Sequence, residues 1–224
     1  MRSLRLTSRY KGFPRQGDRG NPFSTYPELC TETVFLIGNG SSRKGFDLEK
    51  LRDYGTIVGC NALYRDFAPD VLVAIDSKMI NEIKDSKYWE NNICVVPANR
   101  SVGIPNSLLF KADKFNTSGC FAMQMISKGM KAKYCVMIGM DGYPGNVYDK
   151  TKNYATNTLQ NFKGVLSYYE KVLVDPKIET IFVNVNKQDE WPDRGGKYKF
   201  VPFDIFENWL DNKSKFYSIE SIIK

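Results

Sequence analysis

The chain has 224 residues, 42% of them apolar and 25% charged, the make-up of one globular domain rather than a fibre, repeat array or disordered tail. It contains no histidine, which excludes an imidazole base, a Ser-His-Asp triad and a His-ligated metal. Thirty-two Lys and Arg against twenty-five Asp and Glu leave a net charge of +7 and a pI near 9.0, compatible with a solubilising surface or with a polyanionic partner.

Residues 1–30 lack periodicity and are rich in Arg, Gly, Pro and Ser. Within the first twenty, Arg2, Arg5, Arg9, Lys11, Arg15 and Arg19 face a single acid, Asp18, so 1–30 reads as a basic, irregular arm ahead of one α/β domain over 31–224. It has no apolar core of the kind a signal peptide needs, and no run approaches the ~20 apolar residues of a membrane span. Five cysteines without CxxC spacing suit reduced, buried thiols and a cytoplasmic protein, in the host cytoplasm if a phage encodes it.

TVFLI (33–37) is a continuous apolar run, as in strands buried on both faces. A short helix follows over 47–54, capped by Asp47, then strands GTIVGC (55–60) and VLVAI (71–75). SKMINEIKD (77–85) reads as a helix capped by Ser77, and ICVV (93–96) as a strand. Residues 97–116 read as a loop with a short strand at 107–110, and TSGCFAMQMISKGM (117–130) as a helix capped by Thr117 or Ser118. YCVMIGM (134–140) is a strand, 155–173 a long helix, TIFVNV (180–185) the last strand and VPFDIFENWLD (201–211) a terminal helix with an aromatic face. This alternation predicts a single Rossmann-like, GT-A-like, mostly parallel sheet with helices on both faces. Such sheets bind ligands at the carboxyl ends of their strands.

Polar residues therefore matter most where strands end. After the first strand, Gly38 and Gly40 flank Asn39, and Ser41 and Ser42 follow. The third glycine of a dinucleotide fingerprint is Arg43 here, and the spacing of a phosphate-binding P-loop is absent. The turn suits the phosphate or ribose end of a nucleotide-type ligand, or is only a tight strand-to-helix connection. Asn61, Asp76, the Thr117-Ser118-Gly119 helix start and Asp141 with Tyr143 stand at the other strand ends.

The set IGNGSS, GTIVGCNALY, PDVLVAID and NTSGCFAMQMISKGMKAKYCVMIGMDGY resembles the small bacterial sialyltransferases that use CMP-sialic acid. Its first and last elements also resemble the MAF-like and 6-hydroxymethylpterin diphosphokinase-like Rossmann proteins. The likeness covers roughly residues 33–143. It implies that Asn39 and Gly40 contact the donor's phosphate or ribose, that Asn61 holds the ribose or pyrophosphate, that Thr117, Ser118 and Gly119 touch the base or sugar, and that Asp141 and Tyr143 close the pocket floor. The family's GNGPS proline is Ser41 here, and the histidine base of those enzymes has no counterpart.

These readings predict a glycosyltransferase that moves a sugar from a nucleotide-sugar donor to a hydroxyl acceptor, with a carboxylate base. Asp76 is the first candidate for that base and Asp141 the second. Tyr148 and Tyr154 are candidates for the leaving phosphate or for loop anchors, and Arg43, Lys44, Lys78 and Arg100 for phosphate or acceptor contacts or for solvated surface charges. No Asp-x-Asp pair follows a strand, so the reading is metal-independent transfer without a cofactor, with a divalent ion left open. A basic arm, with aromatic and basic residues interleaved at Trp191, Arg194, Lys197, Tyr198 and Lys199, suits a nucleic-acid acceptor, by the logic of phage enzymes that glycosylate hydroxymethylated DNA bases. The alternatives are diphosphate transfer of the pterin type and a non-catalytic nucleotide- or nucleic-acid-binding module.

Overall fold

The structure is a computed structural model and describes residues 21–98, 103–154, 162–189, 191, 196–212 and 218–223. Eight strands form one sheet: β1 (Thr33–Ile37), β2 (Thr56–Cys60), β3 (Val71–Val73), β4 (Ile93–Pro97), β5 (Leu108–Phe110), β6 (Tyr134–Ile138), β7 (Ile181–Asn186) and β8 (Tyr198–Pro202). Their order is β5-β4-β3-β2-β1-β6-β7-β8, and every neighbouring pair is parallel. The order reverses between β1 and β6, so the crevice at the carboxyl ends of these two strands is the ligand-binding edge of this topology.

The strands are apolar throughout because both faces are covered. On one face, Val34, Leu36, Val58, Cys60 and Met137 pack under α2 (Ser118–Gln124) and α3 (Phe162–Leu173). On the other, Phe35, Ile37, Ile57 and Val136 meet Phe206 and Leu210 of α4 (Phe203–Asp211). Further along that face, Leu72, Ala74 and Cys94 meet Met79, Ile80 and Ile83 of α1 (Ser77–Asp85). The aromatic face of α4 is thus core, as Phe35 and Phe206, with ring centroids 6.4 Å apart, make plain.

Several local expectations are corrected. Residues 21–30, read as part of the irregular arm, make two single turns of 3-10 helix that bury Phe23, Tyr26 and Leu29. The cap of α1 is Asp76, not Ser77. The helix predicted over 117–130 is α2 followed by a π-helical turn, Met125–Met130, and Thr117 caps it by accepting from the Cys120 N–H at 3.1 Å. The long helix begins at Phe162, the expected part over 155–161 lying outside the described residues. β7 is not the last strand, because Tyr198–Pro202 adds β8 at the sheet edge.

Cys60, Cys94, Cys120 and Cys135 are buried and Cys30 half-buried, all as free thiols. Burial pushes Cys60 and Cys94 up to about 12 and Cys120 up to about 11, and raises Cys135 as well. Since the thiolate is the reactive form, a thiol reagent at neutral pH is expected to label at most Cys30 in the folded protein and all five cysteines in denaturant.

Candidate functional site

At the switch point the ladder continues past the strands. Gly38 N donates to Ile138 O and Gly40 N to Gly139 O, each at 2.8 Å. This requires bare backbone. A Cβ on Gly38 would lie 2.3 Å from Gly139 O, and Gly139 itself sits at φ +68°. A Cβ on Gly40 would lie 2.4 Å from the Asp141 carboxyl carbon. That carboxylate fills the space the missing side chain leaves. It accepts from Ser42 N at 2.9 Å, from Ser42 Oγ, from Ser41 Oγ at 3.5 Å and from Asn186 Nδ2 at 3.5 Å. Asn186 Oδ1 in turn accepts from Tyr143 Oη at 3.2 Å. The ends of β1, β6 and β7 are thereby joined through Asp141. Burial raises its pKa, the Ser42 and Ser41 hydrogen bonds and the Arg43 charge opposing it only in part.

Arg43 is 6% exposed. Its Nε donates to Gly38 O at 2.8 Å and its Nη2 to the Tyr148 hydroxyl at 2.9 Å, while Tyr148 donates to Asp66. This corrects the reading of Arg43 as a solvated cation: it is a buried brace under the turn. Lys44 and Lys78 are exposed, and Arg100 lies outside the described residues.

The end of β2 reaches the start of α2. Asn61, at φ +54°, turns its Oδ1 to the Ser118 hydroxyl at 2.7 Å. Thr117 Oγ1 lies 3.0 Å from the Tyr169 hydroxyl, and Gly119 is bare because a Cβ there would meet Met140 Cε at 2.5 Å. Asp76, exposed beyond the end of β3, stands at the N-cap position of α1. Its charge reaches Tyr154, whose phenol pKa is raised first by burial and then, among smaller causes, by Asp76.

Residues 146–154 cross the site. Asn146 bridges to Gly40, Val147 N donates to Asn39 O at 2.9 Å, and Asn39 Nδ2 donates to the Tyr154 hydroxyl at 3.0 Å. Asn39 Oδ1 is buried and finds no partner among the described residues. Tyr148 and Tyr154 are thus engaged in anchoring this segment. Beyond it, Glu82 accepts from Tyr64, Arg65 and Asn153. Burial works to raise the Glu82 pKa, but these hydrogen bonds hold it below the ordinary value. A carboxyl lowered on folding stabilises above its unfolded pKa and loses that contribution as pH falls through the folded one. Acidification through about pH 4 is therefore expected to lower the melting temperature of the wild type more than that of Glu82→Gln.

The expected aromatic-basic face is corrected in its aromatic half. Trp191 and Tyr198 are 4% and 6% exposed, and Trp191 is stacked between Tyr169 and Tyr198, with centroids at 4.9 and 5.7 Å. They are core and offer no face to a base. Lys197 Nζ donates to Asp175 O at 2.6 Å. Arg194 and the basic residues of 1–20 lie outside the described residues.

The sequence reading brought together Gly38, Asn39, Gly40, Ser41, Ser42, Asn61, Thr117, Ser118, Gly119, Asp141 and Tyr143, and all stand on one edge of the sheet. It missed Asn186, although two asparagines two residues apart in the apolar run IFVNVN already marked a polar stripe on one face of β7. It also missed Arg65 and Glu82, which carry no sequence signature.

No protein-family model matches the chain, and no curated protein does. Among solved structures it is similar to the sialyltransferase CST-II in complex with trisaccharide acceptor and CMP, at TM-score 0.46 and 14% identity over 73% of this chain and 88% of that one. It is also similar to CstII from Campylobacter jejuni in complex with a substrate analogue, cytidine-5'-monophosphate, at TM-score 0.45 and 14% identity over 74% and 87%. No described helix is long and apolar enough to cross a membrane.

Proposed function

We propose that the chain is a glycosyltransferase that takes a nucleotide-sugar donor at the β1–β6 switch point and transfers the sugar to a hydroxyl acceptor. The supporting observation is convergence. Segments spread over more than a hundred residues, from Asn39 to Tyr143, meet at the carboxyl edge of an all-parallel sheet, where that topology binds ligands. Asn39 Oδ1, without a partner among the described residues, suits a donor hydroxyl or base amine.

In this reading Asp76 is the base that takes the acceptor proton. Asp141 is ill suited to that task, because its oxygens already accept from Ser41, Ser42 and Asn186. Its role is to hold the turn open to the donor. Arg43 lends positive potential from below. It enters no ion pair among the described residues, so its charge is available to offset the leaving phosphate, with Lys44 and Lys78 at the rim.

The test is a screen of CMP-, UDP- and GDP-sugars for nucleotide release, with and without Mg2+. Release from one donor class, accelerated by a hydroxyl acceptor, is the expected result. No release from any donor sinks the reading.

A further inference from the structure

We propose that Arg65 and Glu82 are positioning residues for the Asn39 turn: together they hold the 146–154 strap against it, and so set the affinity for the nucleotide. The inference rests on the functional reading above.

The strap has little structure of its own. Its internal hydrogen bonds are single turns, such as Thr151 N to Tyr148 O at 3.0 Å and Tyr154 N to Thr151 O at 2.9 Å. Lys150 and Asn153 both stand at positive φ, +64° and +66°. A chain so arranged keeps its shape through what it leans on. On one side it leans on the turn, at Gly40, Asn39 O and Asn39 Nδ2. On the other it leans on the Arg65–Glu82 pair.

That pair has the geometry of a clamp. Arg65 Nε and Nη2 donate to Glu82 Oε1 and Oε2, each at 2.8 Å, the two-pronged form that fixes orientation as well as distance. The remaining donors of Arg65 take the strap: Nη1 reaches Thr151 Oγ1 and Nη2 reaches Lys152 O, both at 2.7 Å. Asn153 Nδ2 donates to Glu82 Oε2 at 2.6 Å. The Arg43 and Arg65 guanidinium groups lie 5.5 and 5.6 Å from the Tyr148 ring centroid, and Arg65 is 5.7 Å from that of Tyr154. Glu82 is 8% exposed, and Tyr64 also donates to it, so the carboxylate has nowhere else to turn. A solvent-exposed pair would be worth little. This one is largely withdrawn from solvent, its carboxylate hydrogen-bonded from two residues besides its cation, and tied to the segment that touches Asn39.

Coupling between two sites is reciprocal in binding free energy. If the clamp sets the turn, a nucleotide on the turn must also hold the strap. Lys150 and Lys152 are exposed, which makes the strap a trypsin substrate whose cleavage reports its opening. The full chain would be compared with Glu82→Gln and with the double variant Thr151→Val, Asn153→Ala. The double variant changes only exposed strap residues and leaves the buried pair intact, so it guards against a fold defect in α1.

Both variants are expected to be cut after Lys150 and Lys152 about tenfold faster, and to bind the preferred one of CMP, UMP and GMP about tenfold more weakly by calorimetry. The nucleotide should slow the cleavage. Unchanged cleavage overturns the clamp. Faster cleavage with unchanged affinity makes the pair merely structural, and tighter binding makes the strap an obstruction; either overturns the positioning role. If the wild type binds none of the three nucleotides, the functional reading falls and the positioning role with it. That outcome appears before any substitution is made, whereas the cleavage rates still report the clamp.

Discussion

Asp76→Asn is expected to lower the rate of sugar transfer by about 10²–10⁴-fold, the usual contribution of a positioned general base. The fold should barely notice. Asp76 is exposed at the N-cap position of α1, where asparagine is favoured as much as aspartate, so the stability change should stay within about 0.5 kcal/mol. Initial rates of nucleotide release, set beside a melting curve, separate the two effects. Asp141→Asn should behave differently, because it replaces one of two accepting oxygens with an NH2 donor among groups that donate to both, Ser42 N, Ser42 Oγ and Asn186 Nδ2, and so loosens the turn itself. A rate loss in Asp141→Asn at unchanged stability, with Asp76→Asn fully active, would move the base to Asp141.

Gly38→Ala is expected to cost about 3 kcal/mol and to abolish nucleotide binding, read as a denaturant midpoint and a calorimetric titration. The new methyl would sit 2.3 Å from Gly139 O and 2.9 Å from both its carbonyl carbon and Met140 Sδ. The sulfur can swing away, but the backbone cannot. β1 and β6 must part, and the hydrogen bonds from Gly38 N to Ile138 O and from Gly40 N to Gly139 O, both 2.8 Å, go with them. Gly45→Ala is the control. A methyl there would meet nothing within 4 Å among the described residues and has only the φ of +87° to strain it, so the change should cost about 1 kcal/mol and leave binding unchanged.

The sharp turn was readable from the local sequence, since paired glycines after a buried strand permit one whether or not a ligand sits on it. The purpose of each glycine was not. Gly38 is bare because of the neighbouring strand, and Gly40 because a carboxylate a hundred residues away occupies the space. The same distinction separates Arg43 as read from Arg43 as found. A cation after a glycine turn has the pattern of a phosphate contact or a surface charge. Only the third dimension reveals that Gly38 O and Tyr148 hold it beneath the turn. Trp191 and Tyr198 teach the opposite error, because aromatic residues among lysines look like a stacking platform until the sheet edge covers them.

The amino-acid sequence by itself determined the layered α/β architecture, the strands β1 to β7, the core faces of the helices and the strand-end residues worth inspecting. Those follow from local periodicity, turn chemistry and capping, which act over a few residues. Tertiary structure alone decided that β8 closes the sheet, that the order reverses between β1 and β6, that Asp141 is a joint between strand ends, and that Arg65 and Glu82 clamp a strap over Asn39. Such pairings join residues far apart in the chain, and nothing in the local pattern of either partner encodes the distance between them.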